Sequence, residues 1–111
     1  MITRYALFEG RVHAGREAAF REAILAEVAP MWRAFPGAPA GRGRFAGGRG
    51  GGAPEYPLIL AVSYKDMAAV EAALASPIRA RSRAATEAVL ARYFTGRVHH
   101  HVTSAHETDC S

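Results

Sequence analysis

The chain has 111 residues, half of them hydrophobic, and a formal net charge of +4 from 14 Lys and Arg against 10 Asp and Glu. That length suits one domain able to bury a core without metal or disulfide staples, and no apolar run approaches the roughly 20 residues of a bilayer-spanning helix. A single cysteine, Cys110, excludes an intramolecular disulfide framework; with Arg4 and Glu9 interrupting any signal-like apolar start, the expected location is a reducing cytoplasm.

The basic residues are arginines apart from Lys65, and they are scattered. Arg16, Arg21 and Arg33 fall along one segment and Arg79, Arg81, Arg83 and Arg92 along another, interleaved with alanine and glutamate. This pattern describes solvated helix faces and not a phosphate track, so neither nucleic acid nor membrane is an expected partner.

In chain order, Ile2–Glu9 alternates loosely around Tyr5, Leu7 and Phe8 and reads as a first strand. After a turn through Val12–Gly15, residues Phe20, Ile24, Val28, Met31, Trp32 and Phe35 recur at spacings of three and four and define the apolar stripe of a helix. Pro30 is expected to kink it, and Pro36-Gly37 to end it. Arg42–Ala46 reads as a short second strand, and Gly47–Pro54 as a loop joining it to the next. That loop has neither GxxxxGK[ST] nor a GxGxxG that opens a helix, so it is not a phosphate cradle.

Pro57–Asp66 (PLILAVSYKD) is the central strand, apolar on both alternating sides. Asp66 is an expected N-cap for a short helix holding Val70 and Leu74, and Ser76-Pro77 an expected cap and first position for the next. That last helix carries Ile78, Ala85, Val89 and Tyr93 and is expected to stop at Gly96. Val98–Thr103 is the final strand, followed by a polar tail over 106–111, so that residues 1–105 form the domain.

The order β-α-β-β-α-β is the split βαβ arrangement: a ferredoxin-like α+β fold with a four-stranded antiparallel sheet and helices on one face. Alternation puts Phe8, Leu60, Val62 and Val98 on the helix side. Tyr5, Leu7, Ile59, Ala61, Ser63, His99 and His101 fall on the other side, too apolar to face water and polar enough to line a chamber. A second copy of the chain, packed face to face, is the economical cover, and a homodimer is therefore expected.

The segments SYKDMAAVEAALASP and YFTGRV, with Gly15 after the first strand, Ala29-Pro30-Met31-Trp32 and the Gly-rich insertion, resemble the dimeric α+β barrel superfamily and within it the EthD-like proteins. The antibiotic-biosynthesis-monooxygenase-like and stress-responsive barrel families are near neighbours of this pattern. Val28 stands where EthD-like proteins usually carry a histidine. No acid stands among Leu90, Ala91, Arg92 and Tyr93, before Phe94-Thr95, so the family's polar signature is not carried over. The resemblance implies a small hydrophobic or aromatic metabolite as ligand. If there is turnover, it implies oxidation, cyclisation or isomerisation without a cofactor.

His99-His100-His101 is the most conspicuous chemical feature. His99 and His101 share the open side and are candidates for acid–base or hydrogen-bonding work, for metal binding with Glu9, His13 or His106 as a third ligand, or for a purely structural role. Tyr5 joins them as a candidate catalytic group. Leu7, Ile59, Ala61, Ser63 and Trp32 are the expected ligand-binding residues. His100, between Val98 and Val102, is expected to pack under a helix. A non-catalytic accessory or sensor protein and a heme-binding barrel with an axial histidine are the competing readings. An RRM-like RNA-binding sheet has the same topology, but the central strand lacks the aromatics that stack bases.

Overall fold

In a computed structural model of the chain, residues 1–37, 40–45 and 54–105 are described. The strands are β1 (Ile2–Val12), β2 (Ala40–Phe45), β3 (Leu58–Tyr64) and β4 (Phe94–Ser104). They form one antiparallel sheet in the order β2-β3-β1-β4. The helices α1 (Glu17–Ala23), α2 (Ala29–Trp32), α3 (Met67–Leu74) and α4 (Pro77–Tyr93) cover one face, and a π-helical segment, Ile24–Val28, joins α1 to α2. The βαββαβ order and the open sheet face match the expected fold. Most of the Gly-rich loop expected over Gly47–Pro54, Ala46 at the expected end of the second strand, and the tail with His106 and Cys110 lie outside the described residues.

The first helix is not one kinked rod, as its stripe suggests, but α1, a π turn and α2 in succession. Phe20, Ile24, Val28 and Trp32 follow at steps of four, and each such step overshoots a 3.6-residue turn by about 40°. A wider π turn takes that overshoot back and keeps Phe20, Ile24 and Val28 all buried. The widening sits just ahead of Pro30, whose ring lacks the amide an α turn would use.

The long strands β1 and β4 exceed their predicted bounds because they pair along their whole length, from Ile2 opposite Ser104 to Val12 opposite Phe94. Gly96 is not the helix stop expected of it. The helix ends at Tyr93, and Gly96 lies inside β4 directly opposite Gly10. Both glycines have positive φ, and a side chain on either would collide with the facing backbone.

Asp66 caps α3 as expected, its carboxylate accepting the Ala69 amide at 2.9 Å. Ser76 holds the N-cap position of α4 as expected, but its side chain makes no capping bond there. Its hydroxyl turns back to donate to the Ala73 carbonyl at 2.6 Å, closing α3, while Pro77 opens α4.

The core forms two clusters on the helix side. One gathers Phe8, Phe20, Ile24, Val28, Leu58, Val89 and Phe94, with the Phe20 ring stacked on Phe94 at 5.9 Å. The other lies under α3 and holds Val62, Tyr64, Val70 and Ala73, and Leu60 packs against both. Phe20, Ile24, Val28, Leu58, Val70 and Val89 are the largest fully buried side chains. Each contributes about 1.5–3 kcal/mol relative to exposure.

Candidate functional site

A cavity of about 520 Å³ opens between the sheet and α4. Its floor is the helix side of the strands: Ala6 and Phe8 from β1, Leu60 and Val62 from β3, Val98 from β4. Trp32 and Phe35 wall it at the end of α2. Trp32 has room there because Gly43 of β2 lies beneath its indole; a Cβ at Gly43 would sit 3.0 Å from the ring. The opposite wall comes from one stripe of α4. Arg79, Ser82, Arg83, Thr86, Glu87 and Leu90 follow at helical spacings and all line the space.

Polar groups gather at the end where β1, β3 and β4 meet α4. Arg4 sits at an apolar position of β1, in register with Val62 and Val102, and its guanidinium is partly buried. Burial, and then the neighbouring charge of Arg79, lower the pKa of Arg4, although a guanidinium stays protonated. Tyr64 is 2 % exposed, and burial raises the pKa of its phenol against the opposing pull of Arg4 and Arg79. It is therefore a neutral donor at physiological pH. Among the described residues no buried side-chain polar atom lacks a partner, and Tyr64 makes no hydrogen bond to any of them. Its hydroxyl accordingly faces the open cavity.

His100 completes this end of the cavity. Its side chain is exposed, in contrast to the packed position expected from its neighbours Val98 and Val102. Desolvation, then the positive charges of Arg4, Arg79 and Arg83, with a smaller contribution from His99, pull its pKa down to about 4. The imidazole is neutral at pH 7. Because an exposed ring keeps some water, the arginines are the firmer cause of this shift.

Of the site residues expected from sequence, only Trp32 lines the cavity. Tyr5, Leu7, Ile59, Ala61, Ser63, His99 and His101 stand together on the other face of the sheet, with Leu7 opposite both Ile59 and His99. There Thr3 and Ser63 share a 3.0 Å hydrogen bond, and the His99 ring contacts the Glu9 carboxylate at 2.9 Å. His13, a possible third ligand to a metal, bonds instead to Thr95 at 3.0 Å, and among the described residues no three potential ligands converge.

The residues that sequence reasoning missed are Arg4, Tyr64, Arg79 and His100. Their signals were present. Arg4 interrupts the apolar alternation of β1, and a second, polar stripe runs along α4 beside the apolar one.

This architecture is the ferredoxin-like α+β fold, shared by several solved structures. An EthD family protein from Bacillus halodurans superposes with a TM-score of 0.68 at 18% identity, over 96% of this chain and 99% of that one. SnoaB, a cofactor-independent oxygenase from Streptomyces nogalater, has a TM-score of 0.63 at 20% identity, over 99% and 97% of the two chains. A dimeric ferredoxin-like protein of unknown function from Thermobifida fusca has a TM-score of 0.66 at 16% identity, over 94% and 90%. No protein-family model and no curated protein matches the sequence. Among the described residues no helix is long and apolar enough to cross a membrane.

Proposed function

We propose that the chain binds a small hydrophobic or aromatic metabolite in the cavity between the sheet and α4, and works as a homodimer. The observation that carries this reading is the cavity itself. It falls within the roughly 300–1,000 Å³ typical of small-molecule sites and joins an apolar floor to a few convergent polar groups. The Tyr64 side chain lines that space and makes no hydrogen bond to a described residue, which supports a ligand that supplies its hydroxyl a partner.

The homodimer rests on the other face, where part-exposed Tyr5, Leu7, Ile59 and Ala61 form a mixed patch bare of helices. The dimeric description of the Thermobifida fusca protein supports the same assembly. In this reading His99, His101 and Ser63 belong to the contact between copies.

His100 is where proton transfer without a cofactor would begin. With a pKa of about 4 it is neutral yet a weak acceptor at pH 7, so the cavity reads as a binding site first.

Trp32 is the sole tryptophan, so its indole N–H resonance reports on cavity occupancy. Titration with 1-naphthol is expected to move that resonance, and Leu90→Arg, which fills the cavity, is expected to abolish the shift. An unmoved Trp32 signal up to the solubility limit of the probe refutes the binding reading. A monomer at high concentration in sedimentation equilibrium refutes the dimer.

A further inference from the structure

We propose that this cavity selects an aromatic carboxylate, holding the carboxylate among Arg4, Arg79 and the Tyr64 hydroxyl and laying the ring against Leu60, Trp32 and Leu90. The inference rests on the cavity being a binding site and names the class of ligand it takes.

The charge of the lining carries the argument. Arg4, Arg79, Arg83 and Arg97 border the cavity, against one carboxylate, Glu87. Glu87 is already engaged by Arg83 at 3.1 Å. Elsewhere Arg92 pairs with Glu27 at 2.7 Å and the exposed Arg11 with Glu55 at 3.8 Å. Arg4 and Arg79 have no carboxylate partner among the described residues, although both are partly buried and line the same end of the cavity, close enough for the charge of Arg79 to lower the pKa of Arg4. Two like charges held together on an apolar face are unfavourable by themselves. An anion entering between them relieves the repulsion, and a planar carboxylate matches the donor fork of a guanidinium.

Tyr64 adds a neutral O–H donor beside the same two arginines. A carboxylate accepts from all three groups, whereas a cationic or purely apolar ligand uses none. The apolar floor argues that the anion is carried on a ring: a small hydrated ion would leave the cavity-facing parts of Leu60, Trp32 and Leu90 against water.

The test compares 2-naphthoate with its uncharged isostere 2-naphthamide on the full chain, with calorimetry for affinity and the Trp32 indole N–H for location. The carboxylate is expected to bind roughly tenfold or more tightly. That ratio should shrink as salt is raised and fall to about one in R4Q/R79Q, with R79K, which keeps the charge, restoring part of it. The comparison on the unaltered chain stands even where the double variant fails to fold. Equal affinities, with the Trp32 signal moving for both probes, overturn the anion assignment and leave the cavity a neutral-ligand site. Inorganic phosphate binding as tightly as naphthoate overturns the role of the ring. Silence of Trp32 toward both probes removes the cavity reading and this one with it.

Discussion

His99 and His100 are neighbours on β4 and point to opposite sides of one sheet. On the open side His99 meets a carboxylate, Glu9, among part-exposed side chains of both characters. On the helix side His100 meets Arg4, Arg79 and Arg83 at the rim of a cavity. The same side chain is thus set beside an anion on one face and held neutral by cations on the other. The difference teaches that the two faces differ in electrostatic character, which is what the proposed division of work, one face for a second copy and the other for a ligand, requires.

The largest effect that sharpens this contrast comes from another pair of neighbours, Leu7 and Phe8. Phe8 is 2 % exposed within the main core cluster, and Phe8→Ala is expected to cost about 3–5 kcal/mol of folding stability by leaving a cavity among close-packed atoms. Leu7 lies on the open face and packs against no helix. Leu7→Ala is expected to leave the unfolding midpoint of the isolated subunit nearly unchanged and to weaken self-association. Denaturant unfolding at low protein concentration, paired with sedimentation equilibrium, separates the two outcomes. A Leu7→Ala variant as destabilised as Phe8→Ala would mean that both faces are core.

A smaller effect is expected at His100. Its pKa in the folded chain is about 4 against an ordinary 6.5, so between those values the unfolded chain binds a proton that the folded chain refuses. Stability therefore rises with pH across that window and loses this contribution as the pH falls from 6.5 toward 4. His100→Asn is expected to flatten that slope, and the ring shifts of His100 in NMR should titrate well below those of a free histidine. A His100 midpoint near 6.5 would mean that the arginines do not surround it. Binding of an organic anion at Arg4 and Arg79 is expected to move the midpoint upward, since the added negative charge offsets the cations that depress it.

How far the sequence carried this picture depends on what each inference needed. Strand parity alone placed Phe8, Leu60, Val62 and Val98 on one side and Tyr5, Leu7 and His99 on the other, because a period of two leaves no freedom. The split βαβ order followed from the same alternation. The ligand-accessible space was not legible. It lies between the sheet and α4, which depends on how α4 lies across the sheet and not on any one spacing. Reasoning that a chamber must lie between two sheets therefore gathered His99, His101 and Tyr5, while the cavity within the subunit is bordered by the intervening His100. The π turn before Pro30 and the paired glycines Gly10 and Gly96 are likewise products of contact between distant segments.

The smallest effect expected is also the one that reads the open face most directly. Glu9→Gln removes the carboxylate beside His99, and in a single subunit the two side chains are 38 % and 36 % exposed. A pair that open to water contributes about 0–1 kcal/mol, so an isolated subunit should lose at most a few degrees of thermal stability. Burial changes the size of the effect. If a second copy covers this face, the pair is enclosed, and removing one partner leaves the other without compensation, at a cost of about 3–5 kcal/mol. Thermal unfolding of wild type and Glu9→Gln at low and high protein concentration distinguishes the cases. A difference that grows with concentration places Glu9 and His99 inside the contact between copies, whereas a small, constant difference leaves that face to solvent and breaks the division of labour between the two sides of the sheet.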